Sequence, residues 1–119
     1  MITSANVTLM VSDFNRSVSF YTDTLGLTLK ARYGDEWAEV QAPGLTIGLH
    51  PASERGPTIQ ATGLSIGLGV SGIEQVVADL QARGVQFAPP GVIDTGVERL
   101  ANFHDPDHTP LYLYELSQH

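Results

Sequence analysis

Read along the chain, the hydrophobic pattern runs through strand, helix and three strands, and then through the same order a second time. Residues 5–11 alternate, with Val7, Leu9 and Val11 on one face and Asn6, Thr8 and Met10 on the other. Ser12 or Asp13 stands where it can cap a helix over residues 15–25. In that helix Val18, Tyr21 and Leu25 recur at helical spacing, Phe14 lies just outside as a staple, and Gly26 is the stop. Strands over 28–33, 37–42 and 45–50 follow, turned by Gly34-Asp35 and Pro43-Gly44. The second half opens with a strand over 64–70, in which Leu64, Ile66, Leu68 and Val70 oppose Ser65, Gly67 and Gly69. A helix over 73–83 follows, with Ile73, Val76, Val77 and Leu80 as its apolar face and Gly84 as its stop. A short strand over 85–88, broken by Pro89-Pro90-Gly91, precedes one over 97–103 and a last one over 111–116. Identity between the halves is low, so the repeat is one of pattern.

The pattern predicts an α+β fold in a single domain over residues 1–119. Its first module covers about 5–50, and its second about 63–117. Between them, residues 51–62 lack any period and are punctuated by Pro51, Gly56 and Pro57, which reads as a linker or a loop over a site. The apolar fraction of 42% is enough to build a core. Thirteen acidic against 6 basic side chains give a net charge of -7, so the chain lacks the basic stripe that nucleic acid requires. The absence of cysteine excludes disulfides, thiolate metal sites and cysteine nucleophiles. No stretch approaches the roughly 18 apolar residues of a membrane span, and no basic-then-apolar leader opens the chain, so a cytoplasmic protein is the plain expectation.

The last strand carries the clearest functional signal. Asp105-Pro106-Asp107-His108 reads as a turn, and the strand beyond it sets Leu111 and Leu113 against Tyr112 and Tyr114. One face is aliphatic, suited to packing on a helix; the other ends in phenols, suited to a partly polar cavity. Together with V-S-D-F-N-R-S-V-S-F-Y-T-D-T-L-G-L at 11–27, the run F-H-D-P-D-H-T-P-L-Y-L at 103–113 resembles the vicinal oxygen chelate superfamily. That group includes glyoxalase I, extradiol dioxygenases, fosfomycin resistance proteins and bleomycin-binding proteins. The chain departs from it at His108, where glycine is usual.

The resemblance implies two βαβββ modules, each a cup-shaped, incompletely closed mixed sheet, with cups paired, often across a homodimer. Metal-dependent members take one ligand from each of four strands, and those positions fall here on Asn6, Gly48, Ser65 and Tyr112. Gly48 has no side chain, Tyr112 would have to lose a proton with a reference pKa of about 10, and Asn6 and Ser65 are weak neutral donors. The expectation is therefore a homodimer without metal or other cofactor that binds a small organic or antibiotic molecule, as bleomycin-binding members do, with no nucleic acid or membrane partner. The alternative is a divergent metal-dependent lyase or dioxygenase of the same superfamily, using His50 and non-standard ligands such as His104 or Glu39.

Each candidate has a plainer reading beside the functional one. His50 shares strand parity with Gly48 and lines the cup as a ligand contact or base, or else ends its strand exposed before Pro51. Tyr112 and Tyr114 stack on a ligand or serve as core or interface residues. Trp37 stacks on a ligand or merely packs. Gly48, Gly67 and Gly69, with Ser65, leave volume in the cup unless something packs closely against them. Arg32 and Glu39 lie on strands whose parity leaves their facing open. His104 and His108 flank the turn without a helix to make them a metal pair, and Asp105 and Asp107 read as turn-forming residues. Glu115 has the parity of Leu113 and falls outside the cup.

Overall fold

A computed structural model describes residues 1–52 and 63–116, and the chain divides into two compact units, 1–59 and 60–119. The expected linker, apart from Pro51 and Ala52, lies outside the described residues. In the first unit, β1 (Val7–Val11) leads into α1 (Phe14–Ser19), and β2 (Thr28–Tyr33), β3 (Trp37–Ala42) and β4 (Leu45–Pro51) follow. The second unit repeats this with β5 (Ile66–Gly69), α2 (Ile73–Ala82), β6 (Ile93–Asp94), β7 (Glu98–His104) and β8 (Pro110–Leu116).

Each unit holds one four-stranded mixed sheet. The orders are β1-β4-β3-β2 and β5-β8-β7-β6, so the first strand of each module pairs in parallel with its last. The helix carries the chain across the sheet from the first strand to the second, at the opposite edge, and the next two strands bring it back beside the first. In the first unit Leu9, Val11, Ala38, Val40, Ile47 and Leu49 are buried with Phe14, Val18 and Tyr21 of the helical segment. In the second, Ile66, Ala101, Phe103, Leu111 and Leu113 are buried with Ile73, Val77 and Leu80. These are the odd- or even-numbered positions the alternation singled out, and they account for one face of each sheet.

The helix ends are less regular than their sequence suggests. Asp13 is extended and accepts a bond from Arg16 N at 3.1 Å, so Phe14, expected as a staple, becomes the first helical residue. After Ser19 the helix widens into a π-helical turn over Phe20–Thr24, closed by Leu25 N to Phe20 O at 2.9 Å. Thr22 Oγ1 donates to the Val18 carbonyl at 2.7 Å within this stretch.

No strand forms over 85–88. Val85 N closes the end of α2 on Leu80 O at 3.0 Å, and Ala88 N alone reaches β7, at Asn102 O. The short partner of β7 lies farther on, at Ile93–Asp94. β5 is likewise shorter than the 64–70 alternation, and Ser65 precedes it.

The turn before β8 is tied from inside. Asp105 is 4% exposed, and its Oδ1 accepts bonds from Asp107 N at 2.9 Å and Thr109 N at 2.8 Å. His108 sits at φ +64, the left-handed region that glycine enters without cost, which is a physical reason for glycine being usual there.

α2 has no cap of its own, since Gly72 offers no side chain. Glu115 of β8 caps it instead, accepting from Gly72 N at 2.5 Å and Ile73 N at 3.3 Å, with Arg99 beside it at 3.8 Å and Arg99 also paired with Glu74. The bond from Gly72, then that from Ile73, hold the Glu115 carboxyl below the usual carboxylate range; Arg99 adds to this and slight desolvation opposes it. A depressed folded-state pKa gives stability that is complete above the unfolded value of about 4.3 and lost as pH falls through the folded value. Glu115→Gln is expected to lower the melting temperature at neutral pH and to flatten its fall between about pH 4.5 and pH 3, as followed by circular dichroism.

Candidate functional site

The face of each sheet turned away from its helix is where the candidate residues collect. In the first unit, cross-strand register lays this face out in rows. Met10 pairs with His50, and Tyr33 with Trp37. Thr8 pairs with Gly48, Gly48 with Glu39, and Glu39 with Ala31. Thr46 pairs with Gln41, and their side chains bond at 2.9 Å. Asn6 precedes β1 at the same parity, and its Oδ1 accepts from Thr8 Oγ1 at 3.0 Å. Asn6 also borders an open hollow of about 390 Å³ with Gln41, Leu45 and Thr46.

Gly48 has a steric role. A Cβ there would collide with Cη2 of Trp37 and stand 2.9 Å from Thr8 Oγ1. The indole lies across the glycine, and its Nε1–H donates to Glu39 Oε1 at 3.3 Å. His50 is half-buried, with Nδ1 2.8 Å from the Pro51 carbonyl. A carbonyl only accepts, so Nδ1 carries the proton and, in the neutral ring, Nε2 presents a lone pair. Arg32 is turned to the other face, where it stacks over Phe14 and bonds Asn15, Gly34 and Asp35.

The second unit repeats the device twice. Gly67 and Gly69 pair with Tyr112 and Tyr114. A Cβ on Gly67 would stand 2.5 Å from Cζ and Oη of Tyr112, and one on Gly69 would stand 3.0 Å from the same atoms of Tyr114. The tyrosine rings therefore lie down over the glycines, 6.0 Å apart at 45°. The room expected at these glycines is occupied by the protein's own rings. Leu100 pairs with both Ile93 and Tyr114, and Leu116 with Glu98, which extends an apolar surface beside the phenols. Tyr114 and Leu116 border a second open hollow of about 390 Å³ with Gly69 and Ser71. Ser65 is exposed ahead of β5. Glu115 points to the helix side, as its parity predicts, and the capping role it has there was missed because it depends on a helix 42 residues away in sequence.

The four positions on which the resemblance sets metal ligands, Asn6, Gly48, Ser65 and Tyr112, bring no donor set together among the described residues. Gly48 lacks a donor and is covered by Trp37, Asn6 is engaged by Thr8, and Tyr112 is laid over Gly67. Among the described residues no group of three or more His, Asp or Glu side chains is placed to hold an ion. His104 and His108 approach each other, with ring centroids 6.0 Å apart. No described helix is long and apolar enough to cross a membrane.

A family model described as Glyoxalase/Bleomycin resistance protein/Dioxygenase superfamily matches residues 3–112. No curated protein matches the chain significantly. Among solved structures, TnmS3, an antibiotic binding protein from Streptomyces sp. CB03234, is 27% identical over 98% of this chain and 100% of its own, with a TM-score of 0.76. The hypothetical protein SA1046 from S. aureus is 22% identical over 97% of this chain and 94% of its own, with a TM-score of 0.78. A glyoxalase/bleomycin resistance protein/dioxygenase from Nocardioides is 22% identical over 99% of this chain and 85% of its own, with a TM-score of 0.75.

The contact between ring and glycine is open to a direct test, because Trp37 is the only tryptophan. Gly48→Ala displaces the tip of a side chain and no backbone, so the expected stability change is within about 1 kcal/mol. The Trp37 emission maximum is expected to move to the red as the indole is lifted from the strand, and an unchanged spectrum would contradict this packing.

Proposed function

The chain belongs to the Glyoxalase/Bleomycin resistance protein/Dioxygenase superfamily, and from that premise we propose that it binds a small organic molecule of the antibiotic type and sequesters it without breaking a bond. The observation that carries this reading is the set of aromatic side chains whose tips cover glycines of the neighbouring strand, Trp37 in one sheet and Tyr112 and Tyr114 in the other, all on helix-free faces. Stacking of a ligand ring on such an aromatic is worth about 1 kcal/mol beyond area burial. His50 adds an acceptor in Nε2, and Asn6, Gln41 and Thr46 add amide and hydroxyl groups at the border of the hollow. The likeness to an antibiotic binding protein at 27% identity supports the same reading. It includes a homodimer, as in the resemblance, and the expected sedimenting species has twice the mass of the chain.

The test is a titration of the purified protein with a panel of planar aromatic antibiotics, followed by Trp37 fluorescence and by mass spectrometry of the recovered compound. Saturable quenching by at least one compound, recovered unchanged in mass, is the expected result. For a compound held on the free face of the second sheet, Tyr112→Ala and Tyr114→Ala are each expected to weaken binding by about 5- to 10-fold in equilibrium dialysis, the equivalent of one stacking contact. Turnover of the compound would favour the enzymatic alternative instead.

A further inference from the structure

The free face of the first sheet holds a carboxylate that no described residue neutralises. Glu39 is half-buried in the middle of β3, and its register partners on both sides, Ala31 and Gly48, have no side chain that reaches it. Its one described hydrogen bond comes from the Trp37 indole to Oε1. No lysine or arginine among the described residues lies within ion-pair distance of it. The described arginines of this unit are engaged elsewhere, Arg16 with Ser12 and Arg32 with Asn15, Gly34 and Asp35. Lys30 is exposed at the bulge between Leu29 and Ala31.

A part-exposed carboxylate with no described cationic partner is open to a charge brought by a ligand. Here the carboxylate is also fixed at the edge of an indole whose ring lies across Gly48. A carboxylate beside an aromatic face is the arrangement that recognises an organic cation, the charge meeting the oxygen and the polarised groups around it meeting the ring.

We propose that Glu39 and Trp37 form the recognition site for the positive charge of the ligand, which is therefore an organic cation carrying a flat ring. The proposal rests on the binding function above and narrows its ligand class. On the free face of the second sheet Glu98, the register partner of Leu116, and Asn102, the partner of Tyr112, stand beside Ile93, Leu100, Tyr112 and Tyr114, and no described hydrogen bond joins the Glu98 carboxylate to a ring.

The experiment compares two probes of nearly one shape, N-methylacridinium as the cation and acridine as its neutral counterpart, at mildly alkaline pH by equilibrium dialysis against the full chain. Wild-type protein is expected to hold the cation about ten-fold more tightly than acridine, the advantage of one half-buried opposite charge. Glu39→Gln keeps an oxygen to accept the indole N–H, so the emission of the unliganded variant is expected to match wild type. Its preference for the cation is expected to fall to within about two-fold, with acridine binding unchanged. Equal binding of the two probes by wild type, or a preference that survives Glu39→Gln, overturns the charge assignment alone. Binding of neither probe by wild type overturns the sequestration reading together with it.

Discussion

One helix covers one face of a four-stranded sheet, and each module of this chain has one helix. The sheet order fixes this, because the helix carries the chain from the first strand at one edge to the second strand at the other and so lies on a single side. The aliphatic positions of every strand are drawn to that side: Leu9, Val40 and Ile47 in one unit, Phe103, Leu111 and Leu113 in the other. The opposite faces are left with side chains that owe nothing to the core. Any chemistry the chain performs within a unit therefore has its residues on a surface that the core does not constrain.

What organises those free faces is an exchange between strands. A mid-strand glycine loses side-chain packing and costs conformational entropy. At Gly48, Gly67 and Gly69 the loss is offset by an aromatic side chain from a neighbouring strand, whose tip fills the space a Cβ would take. Replacing any of these glycines removes the seat, so each aromatic and its glycine form one unit, and neither residue alone explains the surface.

The period-two alternation made the sheets legible, since Leu111/Leu113 against Tyr112/Tyr114 and Ile47/Leu49 against Gly48/His50 sort to the faces that parity assigns. Fold class followed from the repeated order of elements. The local irregularities were not legible, because each arises from a bond that alternation does not encode. Val85 looks like a strand residue, yet its amide is spent on the end of α2. Phe20–Thr24 has helical spacing, and its widening shows only in the hydrogen bonds made. The glycines read as empty space because a sequence does not show which neighbour lies across them. Glu115 could be placed on the helix side, but its capping of Gly72 and Ile73 required knowing that β8 runs beside β5.

The two modules share topology but no longer share a surface. One free face is polar, with Asn6, Thr8, Glu39, Gln41, Thr46 and His50 around a single indole. On the other, two phenols are bordered by Ile93, Leu100 and Leu116, with Glu98 and Asn102 as its polar members. Neither difference affects the packed sides, where both units use the same kind of aliphatic core against a helix. Divergence confined to the faces that carry no folding burden is the pattern expected when the repeat supplies the scaffold and the free face is left to recognition.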